Sequence, residues 1–434
     1  MNVGVIGAGW AGLSAAIALH DAGHDVSLYE AGPLAGGRAR RVPGSGNAAL
    51  DNGQHIMLGA YQHTLQLMQR LHREPDRLLL RFGLKLQAAS GDFELRCRAL
   101  PSPWHAVAAV ALAKGWHTSE KAALIKAMAR LRLRGWKVTP DRPLAQWLDE
   151  QHQPAGVVKR FWEPLCLAAL NTPLVQASTL MMARVLKDSL DAGRNASDVL
   201  IPRTDLSDLW PDHLPAGITL HRHSPIQRID AASNGYTLNE KHWHDALVVA
   251  VPPPNARRLL ADLPARPGTE RLMQHLEAFS PVAIATLNLM LDEPWTTLSE
   301  PMLMLDDQAA PGQLGQWLFN HAVISNARER HPLISIVLSN CLSSALTDRD
   351  AASRLIIEQV RRQTSQFGPM PDIAQQLLII EKRATFAATP GLTRPDNNTP
   401  WPGLVLAGDW TNTGYPAVLE GAVMSGQAAA RCIG

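Results

Sequence analysis

The sequence predicts an α/β fold in two parts. The first is a domain assembled from separated stretches around a parallel sheet, and the second is a domain of mixed α+β type. Three observations lead there. A strand, a glycine-rich turn, a helix and a second strand follow one another in the first thirty residues. A strand ending in Gly408-Asp409 and a helix of small residues close the chain. Between them, the apolar run Ala246 to Val251 ends in Pro252-Pro253-Pro254, as a strand returning to the first sheet would. The 434 residues are too many for one ordinary domain and suit two.

The opening elements follow in order. Asn2-Val3-Gly4-Val5-Ile6 is a short apolar strand. In the turn Gly7-Ala8-Gly9-Trp10-Ala11-Gly12, Gly7 makes the tight bend and Gly9 lets backbone approach a pyrophosphate. Gly12 lets helix and strand pack closely. Leu13 to Ala22 reads as a helix closed by Gly23. Its N-terminus offers free N–H groups and a dipole to phosphate, and Trp10 and Ala11 in the turn before it are counted as cofactor contacts. Val26, Leu28 and Glu30 alternate as the second strand, and Glu30 stands 18 residues past Gly12. That acid can accept both hydroxyls of a ribose and would repel a 2′-phosphate. The turn in this setting predicts a Rossmann-type dinucleotide site.

Composition bounds the rest. The chain is 46% hydrophobic and 18% charged, enough to bury a large core. Lys+Arg 41 against Asp+Glu 39 gives a net charge of +2, which argues against nucleic acid as a partner. Cys97, Cys166, Cys341 and Cys432 are scattered with no CxxC pair, so neither a disulfide framework nor a zinc site is expected. His221/His223 and His242/His244 read as surface positions on strands, and no metal is expected. No run approaches the roughly 18–20 apolar residues that span a bilayer. Met1 leads straight into a strand, so a cytoplasmic protein is expected.

Gly36-Gly37-Arg38-Ala39-Arg40 follows the acid after a short loop. With the opening motif it resembles the group of flavin amine oxidases, phytoene desaturases and protoporphyrinogen oxidases. That resemblance implies FAD as cofactor, with Gly37 and Arg38 passing its pyrophosphate and flavin. At the other end, Gly403-Leu404-Val405-Leu406-Ala407-Gly408-Asp409 and then Glu420-Gly421-Ala422 resemble the closing FAD motif of the same group. There Gly408 and Asp409 would meet a flavin-side hydroxyl, and the helix at Glu420, Gly421 and Ala422 would point its N-terminus at the isoalloxazine. Gly217 to Ile229 and Tyr236 to Leu238 read as strands, and Ile226 is the candidate to lay its backbone on the adenine. The expected domains are FAD-binding at 1–84, 200–262 and 400–434, and substrate-binding at 85–199 and 263–399. A second glycine-rich fingerprint is absent from the sequence. If the flavin reduces its substrate, the electrons must come from an external donor or from NAD(P)H bound without a fold of its own.

The second domain gives hints about substrate. Twelve Trp against seven Phe and four Tyr suggest an apolar, aromatic-lined cavity. Residues 114–137 carry Lys114, Lys121, Lys126, Arg130, Arg132, Arg134 and Lys137 against one acid, Glu120. Leu124, Ile125, Met128, Leu131 and Leu133 recur near helical spacing, with Trp116 and Trp136 near the ends. This is either a helix lying peripherally in an anionic membrane interface or a solvated basic helix.

Asp51-Asn52-Gly53-Gln54-His55, the run Trp162 to Pro173, Ala407-Gly408-Asp409-Trp410-Thr411 and Gly414-Tyr415-Pro416 narrow the resemblance. They are similar to the bacterial hydroxysqualene dehydroxylases, the squalene-associated FAD enzymes of hopanoid synthesis. The resemblance implies reduction of an apolar isoprenoid alcohol, hydroxysqualene, to squalene. Gly53 and Gln54 would contact flavin. His55 would be the general acid because imidazole titrates near neutrality, and Asp51 would orient it or serve instead. Asn171 and Tyr415 would position the hydroxyl. A carotenoid-type desaturase and a flavin amine oxidase of the same fold are the alternatives. For the oxidase, Tyr415 is the one cage residue in view.

Overall fold

The computed structural model describes residues 1–42, 50–98, 100–193, 195–308, 313–325, 332–341 and 346–434. The framework elements run along the chain as β1 (Asn2–Ile6), α1 (Trp10–Asp21), β2 (Asp25–Tyr29), α2 (Gln62–Arg70), α3 (Trp104–Ala111) and α4 (Thr118–Leu133). Then come α5 (Glu163–Leu170), α6 (Thr179–Leu190), β3 (Ile218–His221), β4 (Ala246–Val249), β5 (Pro281–Leu291) and β6 (Met302–Met304). β7 (Trp317–Asn320), β8 (Leu333–Ser339), β9 (Ile373–Phe386), β10 (Leu404–Leu406) and α7 (Leu419–Ile433) complete them.

The first sheet has five parallel strands in the order β3-β2-β1-β4-β10. It draws on the start of the chain, on 218–249 and on the C-terminus, so this α/β unit is discontinuous. β1 sits at its centre with Val3 and Val5 fully buried, as a parallel strand covered on both faces requires. The small residues of α7 have a packing reason. A Cβ on Gly426 would stand 2.2 Å from the Ala11 carbonyl oxygen, so α7 and α1 touch backbone to backbone. Ser14 Oγ on α1 then donates to the Val423 carbonyl at 2.9 Å.

The second sheet is antiparallel, in the order β6-β7-β8-β5-β9, and faces a layer of helices that includes α3, α4, α5 and α6. This is the mixed α+β part. Among the described residues, no helix is long and apolar enough to cross a membrane.

Three local readings of the sequence need correction. The stretch 217–229 is not one strand: Ile218–His221 and Ile229–Ala232 are strands, and 222–228 lies between them. Pro225 has no N–H for a ladder, and His223 sits at φ +52°. His244 is not a surface residue. It is 2% exposed, its Nε2 lies 3.0 Å from the Tyr29 hydroxyl, and burial pushes its pKa down to about 4. Finally, Trp116 and Trp136 are buried in the helical layer, together with Leu124 and Leu131 of α4. They do not flank an exposed interfacial helix. The exposed large apolar side chains in this region are Trp104, Leu112 and Leu133.

Candidate active site

A cavity of about 1170 Å³ is lined by the glycine-rich turns of the first sheet, by β5, β7, β8 and β9 of the second, and by α3, α4 and α6. Its first end is a backbone cradle. Gly7 has φ +99°, and a Cβ there would meet the Ala250 carbonyl oxygen at 2.5 Å. A Cβ on Gly12 would fall 1.9 Å from the Gly7 oxygen, so Gly12 serves packing and does not line the cavity. Gly9 is the N-cap of α1 and offers no side-chain cap, while Gly9, Trp10 and Ala11 line the cavity. The orphan N–H groups of that first turn are thus left for a ligand. The second turn crosses the first closely: Gly36 N donates to the Ala8 carbonyl at 2.7 Å, and a Cβ on Gly37 would sit 2.9 Å from the Gly9 Cα.

Side chains complete the cradle. Glu30 lines the cavity, with Oε2 accepting from Ala8 N at 2.9 Å and Oε1 from Gly32 N at 2.8 Å. Ile226 lines the same end. Arg38 donates to Asp409 Oδ2 at 2.7 Å and to the Ala384 carbonyl at 2.7 Å. Burial alone would lower its pKa, but the Asp409 carboxylate outweighs that and raises it. Gly408 and Asp409 line the cavity beside Arg38, as do Gly53 and Gln54.

The far end is apolar, walled by residues such as Leu84, Leu86, Val107, Val110, Met128 and Phe161. Trp10, Trp136, Trp317 and Trp410 reach the wall, whereas Trp147, Trp162, Trp210, Trp295 and Trp401 are core.

Between the two ends lies a polar island. His55 Nδ1 is 2.7 Å from the Gly53 carbonyl oxygen. A carbonyl can only accept, so Nδ1 carries the hydrogen. Burial first, and the Arg38 charge as well, hold the imidazole below its ordinary pKa. His55 is therefore neutral near pH 7, with its lone pair on Nε2, which corrects the expectation of an imidazole readily charged at neutrality. Asp51 does not orient it. Its Oδ1 accepts from Leu206 N at 2.9 Å, it does not line the cavity, and burial pushes its pKa up to about 7.

Asn171 lines the cavity at φ +47°, but its amide is already engaged. Nδ2 donates to Thr385 Oγ1 at 2.9 Å and Oδ1 accepts from Asn340 N at 2.5 Å, so Asn171 braces three segments rather than offering a free group. Tyr415 lines the cavity with Asp188, whose carboxylate accepts from its hydroxyl. The Arg184 guanidinium lies 5.6 Å from the ring centroid. Burial first, and then the Asp188 carboxylate, raise the phenol pKa.

Glu420 and Gly421 need correction too. Both lie off the cavity, which Leu419 and Ala422 line instead. The Glu420 carboxylate accepts from His63 N at 2.8 Å, Thr64 N at 3.0 Å and Thr64 Oγ1 at 2.7 Å, capping the N-terminus of α2. Gly421 packs on the Pro416 turn, where a Cβ would be 3.4 Å from its carbonyl oxygen.

The family described as flavin containing amine oxidoreductase matches residues 10–434. The chain belongs to that family. It is an FAD-dependent oxidoreductase, and its fold agrees with that of a Methanosarcina mazei oxidoreductase (TM-score 0.73, 16% identity, 99% of this chain and 100% of that one). It is 28% identical to the hydroxysqualene dehydroxylase of Sinorhizobium fredii over 99% of this chain and 97% of that protein. It is 25% identical to the zeta-carotene desaturase of Synechocystis over 100% of this chain and 97% of that protein.

The residues of this flavin oxidoreductase fit an FAD. The glycine cradle has room for no Cβ where backbones cross, and the uncapped α1 turn faces the same cavity as Glu30 and Asp409. Several site residues escaped the sequence reading. Thr286 on β5 has a buried hydroxyl with no hydrogen-bond partner among the described residues, lines the cavity, and lies 3.6 Å from where a Cβ on Gly53 would stand. Glu381 accepts from Asn52 Nδ2 at 3.1 Å beside Arg38. Arg394 donates to the Tyr415 carbonyl at 2.6 Å and fixes that loop. A buried polar position inside an apolar strand, as in Ala285-Thr286-Leu287, is the one local signal that marked any of them.

Proposed function

We propose that this flavin oxidoreductase reduces hydroxysqualene to squalene, with electrons from an external donor. The observation behind this reading is one continuous cavity that joins a dinucleotide cradle, a small polar island and a long apolar chamber. At about 1170 Å³ it exceeds the roughly 300–1,000 Å³ of common ligand sites, which suits a cofactor and a long hydrocarbon together. Similarity to the S. fredii dehydroxylase supports the substrate. The FAD-binding domain is assigned to 1–84, 200–262 and 400–434, and the substrate-binding domain to 85–199 and 263–399.

The chain's own residues have distinct tasks. The N–H groups at Gly9, Trp10 and Ala11 hold the pyrophosphate, Glu30 the ribose, and Asp409, steadied by Arg38, a flavin-side hydroxyl. Bound and reduced, FAD supplies a hydride. An allylic alcohol loses water once its oxygen is protonated, and the delocalised cation that remains must be kept from solvent. The apolar walls exclude water. The Thr286 hydroxyl, unpartnered among the described residues, meets the substrate oxygen. His55 Nε2 takes up a proton and passes it to that oxygen, and its lowered pKa makes its protonated form a strong donor present in small amount. Asn171 and Tyr415 hold the walls of the island in place.

An amine substrate is disfavoured because the Arg184 guanidinium already stands against the Tyr415 ring, where an aromatic cage would receive a cation. A carotenoid-type desaturase would run the opposite redox direction on a similar hydrocarbon. The deciding experiment is anaerobic. Chemically reduced holoenzyme mixed with hydroxysqualene should reoxidise its flavin and release squalene in equal amounts. Flavin that stays reduced, with no squalene formed, would refute the assignment.

The apolar substrate is also the reason to expect contact with a membrane surface, since a thirty-carbon hydrocarbon gains about 0.8 kcal/mol for each CH₂ it buries and so resides in lipid.

A further inference from the structure

We infer that the apolar chamber opens between the Pro103 end of α3 and the C-terminal turn of α4, and that the rim there, Trp104 and Leu133, inserts into an anionic phospholipid bilayer. This rests on the reading of a lipid-borne substrate given above.

The cavity wall follows the two helices turn by turn. α3 contributes Val110, Ala109, Val107 and Ala106, with Pro103 at its N-cap, while α4 contributes Leu124, Ile125, Met128, Ala129 and Arg132. These positions recur three and four apart, so one face of each helix lines the chamber along its length. At the outer end, Ala129 and Arg132 are exposed lining residues, so the chamber reaches the surface there. A large exposed hydrophobe adjoins the outermost lining residue of each helix: Trp104, next to Pro103, at 64% and Leu133, next to Arg132, at 88%. Single exposed hydrophobes need no explanation. Two that flank the opening of an apolar chamber do.

Charge identifies the occupant. Lys126, Arg130, Arg134 and Lys137 are exposed on and just after the same turns of α4. Lys126, Arg134 and Lys137 have no ion pair among the described residues, and Arg130 donates only to the neutral Gln151 at 2.8 Å. The one acid of the segment, Glu120, is at the opposite end of the helix and caps its N-terminus. Hydrophobes at an opening, surrounded by free cations, match a bilayer whose headgroups are anionic and whose interior holds the substrate. The opening has a polar fastening: Arg132 pairs with Asp191 at 3.1 Å, and Trp136 Nε1 donates to Asp191 at 2.9 Å. Docking thus uses one end of the α3–α4 pair. A helix lying flat on its Trp116 and Trp136 residues is not available, because both are buried.

The test uses FAD-loaded full-length enzyme and sedimentation with vesicles of phosphatidylcholine alone or mixed with phosphatidylglycerol. Wild type should bind the mixed vesicles and leave the neutral ones. Trp104→Ser/Leu133→Ser should lose at least about tenfold in affinity, and Lys126→Gln/Arg134→Gln/Lys137→Gln on the order of 100-fold at low salt. Val175→Ser, an exposed hydrophobe elsewhere, is the control and should bind as wild type. Turnover of vesicle-borne hydroxysqualene should fall with binding in the Trp104/Leu133 variant, while turnover of detergent-dispersed substrate stays at the wild-type rate. Wild-type affinity in both variants, equal loss in the Val175 control, or no binding of wild type to anionic vesicles would overturn the inference. A protein that binds the vesicles through this rim yet leaves hydroxysqualene untouched in either form would instead refute the proposed reaction and leave the docking surface standing.

Discussion

Replacing Glu30 tests the cofactor cradle most directly. Its two carboxylate oxygens each accept one backbone N–H, from Ala8 and from Gly32. Each oxygen therefore keeps a lone pair, and the side chain lines the cavity, so two acceptor positions remain for the two ribose hydroxyls. A hydrogen bond to a charged group is worth about 1.5–3 kcal/mol. Glu30→Ala removes both positions and leaves the Ala8 and Gly32 donors to water. Losing the equivalent of one such bond, after solvent has replaced the rest, weakens FAD binding by about 10- to 100-fold. Glu30→Gln keeps one oxygen and should fall between wild type and Ala. The assay is fluorescence titration of apoprotein with FAD, backed by thermal stabilisation. At an FAD concentration of about 100 times the wild-type Kd, binding stabilises wild type by about 2.7 kcal/mol. A variant bound 100-fold more weakly gains only about 0.4 kcal/mol at that concentration. If Glu30→Ala binds FAD with wild-type affinity, the ribose does not lie on this carboxylate and the cradle is read wrongly.

Three further outcomes follow from the geometry. Asp51 has a folded-state pKa of about 7 against an ordinary 3.8, so the fold favours its neutral form. Stability that depends on that neutral form is complete below pH 4 and lost as pH rises through 7, by up to about 4 kcal/mol at 1.36 kcal/mol per unit. Asp51→Asn should flatten the stability profile between those limits in urea unfolding, and parallel curves for the two proteins would contradict this. For His55, the lowered pKa means that kcat/KM should fall as pH rises above it, because the proton donor at Nε2 is lost. His55→Ala should bind FAD normally and reoxidise with hydroxysqualene at least about 100-fold more slowly; a flat pH profile with a wild-type rate would move the proton to Tyr415. Glu420→Ala leaves the half-buried His63 N–H and the buried Thr64 N–H uncapped and should cost about 3 kcal/mol in unfolding free energy, with FAD affinity within about threefold of wild type. A large selective loss of FAD affinity would put Glu420 back at the flavin.

The cofactor half was legible because its chemistry is local and lies in the backbone. Gly7 and Gly12 mark places where main chains approach closely, Gly9 is where Gly37 crosses, and six consecutive residues contain that first turn. The helix of small residues at the C-terminus was legible for the same reason, since Gly426 answers to the backbone of α1. Buried carboxylates are placed the other way. Asp51 looked like a partner of His55 four residues on, but its acceptor is filled by Leu206, 155 positions away. Glu420 looked like a flavin contact, but it caps a helix 356 positions earlier. In both cases a buried carboxylate is drawn to whichever orphan N–H groups the tertiary fold brings near, and sequence spacing carries no record of those.

The polar island follows the same logic. Thr286 enters the cavity because β5 pairs with β8 and β9 in a fixed register, with Thr286 opposite Val337 and Ile379, so its hydroxyl finds no partner in the sheet. A shift of one residue would turn Ala285 or Leu287 to that face and leave the island without its free hydroxyl. Tyr415 is held in turn by Arg394, whose guanidinium is buried enough to bring its pKa down to about 10 while it grips the Tyr415 carbonyl. Burying that cation costs desolvation, and its hydrogen bond to the Tyr415 carbonyl fixes the loop. The island thus depends on strand register and on one buried arginine.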